Sequence, residues 1–349
     1  MKSVRLGKTN LLVSRVGIGG IAIQRPPLED AIKVIQRALD LGVNFIDTAI
    51  GYGDSEVRIG KALLGRREQV FIATKGGGDK VGTTRCIDNS LKRLNTDYID
   101  LWQFHGINTF DYYEKILEAG GSMKAAQEAL RASKIRHIGF SSHSLDVALK
   151  AAASGHFETV QFPLNFISDE ALSELVPLAR RHDLGFIAMK PFAGGHIRDA
   201  GLAIRYLMQF DSVVPDPGVE KAEEIEEIVA IVNQVARNLT AQDRQQMDAI
   251  RAELGKRFCH QCGYCMPCPQ EVNIPMVMIT RGMWKLWPQD LFRDPEWWFS
   301  KAVETGRNCI ECGECEAKCP YQLSIRETIA DNLRFYEQVI QRESQGEAV

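Results

Sequence analysis

The chain has 349 residues, 45% hydrophobic and 25% charged, with a formal net charge of −3. That length accommodates one large domain with a full core and one small one. The near-neutral balance, without a basic stripe, argues against nucleic acid as a partner, and no apolar run approaches the ~18 residues of a membrane span. Nothing at the N-terminus resembles a signal peptide, so a cytoplasmic chain with reduced thiols is expected.

Val4–Val13, with Gly7 and Asn10 at turn positions, reads as a hairpin. From residue 16 to about 240, short apolar runs alternate with amphipathic stretches. The strands expected are Val16–Gly19, Asn44–Asp47, Val70–Thr74, Ile99–Phe104, His137–Ser141, Thr159–Gln161, Gly185–Met189 and Ser212–Pro215. Helical patterns lie between them, among them Leu28–Leu41, Ser55–Leu64, Thr84–Leu94, Lys124–Ser133, Leu145–Ala153 and Ala171–His182. Eight strand-then-helix units suit an α/β fold of the (β/α)8 barrel type, with the hairpin closing its bottom, better than a doubly wound sheet. Gly17-x-Gly19-Gly20 and Gly76-Gly77-Gly78 are not dinucleotide fingerprints, so an open nucleotide-binding sheet is disfavoured.

In such a barrel the chemistry gathers where strand ends meet their loops. Asp47, Tyr52, Lys75 and His105 all fall at or just past those ends, in Phe45-Ile46-Asp47-Thr48-Ala49, Tyr52-Gly53-Asp54-Ser55-Glu56, Ile72-Ala73-Thr74-Lys75 and Trp102-Gln103-Phe104-His105. Alone, such a tyrosine is usually solvated and such a histidine structural. Four at corresponding strand ends is a rarer coincidence.

On these residues, roughly residues 1–240 resemble the aldo-keto reductase family. Further matching pieces are Arg5-Leu6-Gly7-Lys8-Thr9, Gly60-Lys61-Ala62-Leu63, Gly139-Phe140-Ser141-Ser142 and Val160-Gln161. The resemblance implies a Tyr–Lys–Asp–His tetrad. Tyr52 would exchange a proton with a carbonyl oxygen while a nicotinamide exchanges hydride with its carbon. A free tyrosine, with a pKa of about 10, is a sluggish acid or base at neutral pH, so Lys75 is expected to lower that pKa and Asp47 to keep Lys75 charged. His105 would orient and polarise the carbonyl. A relic barrel that binds cofactor without turnover is the bland alternative.

The resemblance also implies cofactor contacts. Ser141 and Gln161 match positions that hold the carboxamide, and Ser142 stands where asparagine is commoner. Met189 replaces a tyrosine that stacks on the ring, with Lys190 beside it. Gly218, Lys221, Glu224 and Glu227 occupy the adenosine stretch, where Gly218 and Glu224 align with basic residues of NADPH-preferring members. A carboxylate repels a 2′-phosphate and accepts from a free 2′-hydroxyl. NAD is therefore the expected cofactor, with NADP the alternative and Lys221 the one residue favouring it. Tyr112, Tyr113 and Phe192 are candidates for the pocket wall, and the Pro191–Gly195 loop for the pyrophosphate.

Beyond the barrel, eight of the chain's nine cysteines lie in two runs, Cys259-x2-Cys262-x2-Cys265-x2-Cys268-Pro269 and Cys309-x2-Cys312-x2-Cys315-x3-Cys319-Pro320. The second run has the bacterial ferredoxin spacing in full, and the first departs from it by one residue. Reduced thiols disfavour disulfides, and zinc favours two separated pairs over four cysteines in ten residues or so. Two [4Fe–4S] clusters are expected. The ferredoxin pattern, in which the fourth cysteine serves the other cluster, implies Cys259, Cys262, Cys265 and Cys319 around one and Cys309, Cys312, Cys315 and Cys268 around the other. The 40 residues between Cys268 and Cys309, and the tail Ser324–Arg342, have helical character. Trp284, Trp287, Trp297 and Trp298 either pack this small domain, the favoured reading, or form a surface for lipid or protein. Domains of 1–254, the barrel, and 255–349, a mainly helical iron–sulfur domain joined at Gly255, are expected.

Two functions remain open. One is an NAD(P)-dependent carbonyl reductase or alcohol dehydrogenase acting on a small carbonyl or alcohol, with the clusters stabilising the small domain. The other is an electron-transfer enzyme exchanging electrons with a ferredoxin or other carrier. Hydride carriers pass two electrons and cubanes one, so direct exchange between them normally needs a flavin, and no short motif marks one. A regulatory subunit that senses nicotinamide redox state is the third, weaker reading.

Overall fold

A computed structural model of the chain describes residues 1–234, 238–254 and 258–344. The Gly255 joint lies outside the described residues. By contacts the chain divides into two compact units, Met1–Met247 and Asp248–Val349.

In the first unit, Gly7 and Asn10 take left-handed φ values of 53° and 58°. They turn β1 (Ser3–Arg5) back onto β2 (Leu12–Ser14), with Val4 opposite Val13. Eight parallel strands follow, each paired with its sequence neighbour: β3 (Ile18–Gly19), β4 (Phe45–Asp47), β5 (Phe71–Gly76), β6 (Ile99–Phe104), β7 (Ile135–Ser141), β8 (Thr159–Pro163), β9 (Gly185–Met189) and β10 (Val213–Pro215). The sheet closes on itself, because Gly17 N donates to Pro215 O at 2.9 Å and Gly19 N to Pro217 O at 2.8 Å. Gly19 is glycine for a steric reason. A Cβ there would lie 2.4 Å from the Asp216 carbonyl oxygen. Leu6 and Val13 of the hairpin pack with Phe45, Ala73, Leu101, Ile187 and Val214, which plugs the bottom of the barrel as expected.

Helices α1 (Leu28–Asp40), α2 (Ser55–Ala62), α3 (Lys80–Leu94), α4 (Phe110–Leu117), α5 (Ser122–Arg131), α6 (Leu145–Ala153), α7 (Leu175–Arg181), α8 (Ala200–Leu207), α9 (Ala222–Asn233) and α10 (Ala241–Leu254) follow and intersperse the strands. The division between the units falls inside α10. Two departures from expectation have local causes. β5 runs on through Lys75 to Gly76, because the Lys75 charge is paired inside the barrel instead of ending the strand. α4 forms where no helix was expected, capped by the Thr109 side chain accepting from Tyr112 N at 3.2 Å. It buries Tyr113 (4% exposed) in the core and so removes it from any pocket wall.

The second unit is mainly helical, with α11 (Ile274–Met278), α12 (Thr280–Leu286), α13 (Trp298–Glu304), α14 (Glu314–Ala317) and α15 (Ile325–Ser344). Asn332 of α15 donates to the carbonyls of Val277 (2.8 Å) and Met278 (3.1 Å), which ties that helix to the end of α11. Trp284, Trp287 and Trp297 are buried among Phe292 and Phe299, so these three tryptophans are core, while Trp298 is exposed. A second cluster, of Val272, Ile274, Val277, Leu323, Ile325 and Ile329, packs directly against the cysteines.

Candidate functional site

Strand register sets the barrel site. Lys75 pairs with Gln103, Gln103 with Gly139, and Ser141 with Gln161, so their neighbouring strand ends lie side by side. The Lys75 ammonium is 2.5 Å from Asp47 Oδ2 and donates to the Thr48 carbonyl at 2.7 Å, with both side chains almost wholly enclosed. Asp47 Oδ1 accepts from Gln103 Nε2 at 3.1 Å. Tyr52 lies on the turn before α2, which is fastened twice. Ser55 Oγ donates to Gly20 O at 2.7 Å, and buried Glu56 accepts from Thr74 Oγ1 at 2.7 Å and pairs with Arg93. The Tyr52 ring centre stands 5.1 Å from Lys75 Nζ and meets the His105 ring edge-on at 5.8 Å. The structure thus brings Asp47, Tyr52, Lys75 and His105 together.

Their charge states follow from this enclosure. Asp47 and Tyr52 raise the Lys75 pKa against the opposing effect of burial, so the ammonium stays charged. The expectation for Tyr52 needs correcting. Burial raises its pKa more than Lys75 lowers it, and the two nearby carboxyl groups raise it further. Tyr52 therefore rests as a phenol, held in its proton-donating form. Burial, and then the charge of Lys75, push His105 down to about 3, so its imidazole is neutral near neutral pH. His143 is lowered for the same first reason, with Lys190 and His105 adding to it.

Of the expected cofactor residues, Gln161 sits in the same buried network. Its Oε1 accepts from Gln103 at 3.2 Å and its Nε2 donates to Asp216 Oδ2 at 2.6 Å. Ser141 Oγ accepts from Gly106 N at 2.9 Å. Ser142 is fully enclosed, and its hydroxyl fastens the loops by donating to Ile107 O at 2.6 Å and accepting from Ser144 N at 3.1 Å. Met189 and Lys190, both half-buried, end β9, and Lys190 takes a left-handed φ of 58°. Gly218, Lys221, Glu224 and Glu227 are exposed on the segment after β10 and the start of α9. There Glu224 accepts from the backbone N–H of Glu220 (2.7 Å) and of Lys221 (3.3 Å). Gln103 and Asp216 were missed by sequence reasoning. Asp216 directly follows β10, the strand-end signal that selected the other four, whereas Gln103 lies within β6.

The cysteines line two cavities. Cys259, Cys262, Cys265 and Cys319 surround one, covered by His260 and Tyr321, whose rings stack at 3.7 Å. Cys268, Cys309, Cys312 and Cys315 surround the other, and Cys265 borders it as well. The two cysteine runs share a backbone pattern. Gln261 and Glu311, Gly263 and Gly313, and Glu271 and Gln322 occupy equivalent places, all with left-handed φ. The one-residue difference falls between Cys265 and Cys268, joined through a cis Met266–Pro267 peptide, where the second run has the turn α14. Burial, and then the neighbouring thiols of Cys259 and Cys262, push Cys265 up to about 12, and burial also raises Cys315. Such thiols ionise only against a compensating positive charge, as iron provides. Among the described residues no three His, Cys, Asp or Glu side chains converge on a single-ion site. Rings of four thiols around open cavities suit a multi-atom cluster.

Residues 15–201 match the Aldo/keto reductase family, more than half of the chain. The chain belongs to the aldo/keto reductase family. Residues 258–324 match a 4Fe-4S dicluster domain, so this aldo/keto reductase carries an iron–sulfur domain after its barrel. Aldo-keto reductase YhdN of Bacillus subtilis (strain 168) is 32% identical over 200 residues, which cover 52% of this chain and 59% of YhdN, less than two thirds of its length. Among solved structures, the holo form of aldo-keto reductase AKR11C1 from Bacillus halodurans is similar with a TM-score of 0.62 and 26% identity, over 72% of this chain and 96% of that one. An aldo-keto reductase from Klebsiella pneumoniae in complex with NADPH shares the fold with a TM-score of 0.61 at 23% identity, over 72% and 95%. No helix among the described residues is long and apolar enough to cross a membrane.

A pKa of about 3 for His105 predicts that its imidazole stays neutral from pH 8 down to pH 5. Ring NMR shifts of His105 should then be constant across that range, and a titration near the ordinary histidine value would contradict the assigned environment.

Proposed function

We propose that this aldo/keto reductase interconverts a small carbonyl compound and its alcohol with NAD(P)(H), Tyr52 being the general acid/base. The observation that carries this reading is the buried Asp47–Lys75 pair set beneath a protonated Tyr52, with a neutral His105 at its edge. A bound nicotinamide would supply hydride to the carbonyl carbon, or accept it in reverse. Tyr52 gives its proton to the carbonyl oxygen, so that one hydride and one proton make the alcohol. Lys75 lies close enough to stabilise the phenolate left behind, and Asp47 holds Lys75 in place and charged. His105 donates a neutral N–H hydrogen bond that orients the carbonyl and draws charge onto its oxygen. Ser141 and Gln161 would hold the carboxamide, with the enclosed Ser142 bracing the loop beside them. Met189 and Lys190, after it in the chain, would meet the cofactor at the end of β9.

NAD(H) is the proposed cofactor in preference to NADP(H). Glu224 and Glu227, with Glu220 beside them, place carboxylates where a 2′-phosphate would need cations. Arg25 is already paired with Glu220 at 3.0 Å. In the small domain, Cys259, Cys262, Cys265 and Cys319 would hold one [4Fe–4S] cluster and Cys268, Cys309, Cys312 and Cys315 a second. Bound clusters would supply one-electron redox capacity and tie the two cysteine runs together. Exposure of Cys312, and of Ile310 at 63%, favours a second reading, in which a ferredoxin-like carrier meets that cluster and exchanges electrons with it.

Tyr52→Phe separates the readings. Carbonyl turnover should fall by about 10²- to 10⁴-fold, the usual contribution of a general acid, with the cluster absorption unchanged and NADH outperforming NADPH in the parent enzyme. Undiminished carbonyl turnover would refute the role of Tyr52. Reduction of a one-electron dye by NADH that survives the substitution would favour the second reading.

A further inference from the structure

Asp216 follows β10 in the run Pro215-Asp216-Pro217, and the tetrad leaves it without a role. It is only 5% exposed. Its Oδ2 accepts from Gln161 Nε2 at 2.6 Å, and Gln161 Oε1 accepts from Gln103 Nε2 at 3.2 Å. The same Gln103 nitrogen donates to Asp47 Oδ1 at 3.1 Å, and Asp47 Oδ2 meets Lys75 Nζ at 2.5 Å. An unbroken line of polar contacts therefore runs from Asp216 to the ammonium beneath Tyr52. Its polarity is anchored at the ion pair. Asp47, paired with Lys75, accepts, so Gln103 presents its nitrogen there and to Gln161 Oε1, which leaves the Gln161 nitrogen facing Asp216 Oδ2. An acceptor at Asp216 completes that order.

We propose that Asp216 is a positioning residue for the carbonyl–alcohol chemistry. Through Gln161 and Gln103 it orients Asp47 and Lys75, and its own proton decides whether the buried cluster is neutral or carries one net negative charge. This rests on the carbonyl–alcohol reading above.

The charge account has a definite sign. Asp216 Oδ1 is enclosed with no donor against it, and the Asp47 carboxyl lies within hydrogen-bonding reach of Asp216, so an ionised oxygen so placed is costly. Burial first, and the Asp47 charge second, raise the Asp216 pKa well above the usual carboxylate range, against a smaller pull from Lys75. The titratable groups facing it are Asp47, Lys75 and Tyr52. While Asp216 keeps its proton, Asp47 and Lys75 cancel. As pH rises through its raised pKa, Asp216 becomes a carboxylate, and its charge makes Tyr52 hold its proton more tightly. Proton donation to a carbonyl then slows.

Asp216→Asn keeps the shape and the acceptor toward Gln161 but cannot ionise. The experiment measures kcat/KM for NAD(P)H-dependent carbonyl reduction against pH in the holoenzyme and in this variant. It also follows the tyrosinate difference absorption of Tyr52 in both, with Tyr52→Phe as the blank. The wild-type profile should fall with rising pH through an ionisation belonging to Asp216. The Asn variant should lack this step, and its Tyr52 should titrate at lower pH. Asp216→Leu, which strips Gln161 of its acceptor, should lower kcat/KM on the order of tenfold, the cost of one unsatisfied buried donor, while the Asn variant restores it. Superimposable wild-type and Asn profiles, with an unmoved Tyr52 titration, overturn the proposal. A wild-type enzyme that reduces no carbonyl at any pH refutes the carbonyl–alcohol reading instead, and the Tyr52 titration then decides on Asp216 alone.

Discussion

An ammonium sealed inside a barrel is the constraint on which the rest of the first unit depends. Lys75 is tolerated within β5 only because Asp47, one strand away, meets it at 2.5 Å and the Thr48 carbonyl accepts a second hydrogen bond from it. Removing one member of such a pair costs about 3–5 kcal/mol, whereas an apolar pair of similar volume is often as stable. Stability alone therefore gives little reason to keep two charges there. Their effect on a neighbouring phenol gives a better one. A charge 5.1 Å from the Tyr52 ring, with little water between, acts with much of its strength unscreened.

Much of the architecture above the pair serves to hold that phenol in place. Ser55 and Glu56 fasten α2 to Gly20 and to β5, so the preceding turn presents Tyr52 at one position. Close approach of Gly19 to the Asp216 backbone lets the last strand meet the first, which brings Asp216 into the interior beside Gln161. Barrel closure and site assembly are thus one event. The second unit follows a different logic. It has two apolar clusters, and burial raises the Cys265 and Cys315 thiols, so these two ionise only beside a compensating positive charge.

Strand periodicity made the barrel legible in the sequence, because parallel strands covered by helices are apolar on both faces and short. The hairpin was legible through Gly7 and Asn10, whose left-handed backbone few other residues accept. The strand-end rule found Asp47, Tyr52, Lys75 and His105. It overlooked Gln103 and Asp216, since an amide inside a strand and an acid between two prolines look ordinary until their partners are known. It also could not weigh burial against a neighbouring charge. Proximity of Lys75 suggested a lowered Tyr52 pKa, while the depth of the site reverses the balance. Ser142 was chosen by position, yet its enclosure behind Ile107 is a property of loops that spacing does not encode. Cysteine spacing, by contrast, carried its meaning directly, because two short loops with matching left-handed turns are enough to ring each cavity.

The Lys75–Asp47 pair makes Tyr52 more acidic than its burial alone would allow. Titrating Tyr52 by tyrosinate absorption in a Lys75→Met, Asp47→Asn double variant, which removes both charges together, tests this without leaving an orphaned ion. Tyr52 should remain protonated through the pH range in which the wild-type residue ionises, because the ammonium's influence exceeds that of Asp47. An unmoved titration, or one shifted to lower pH, would contradict it.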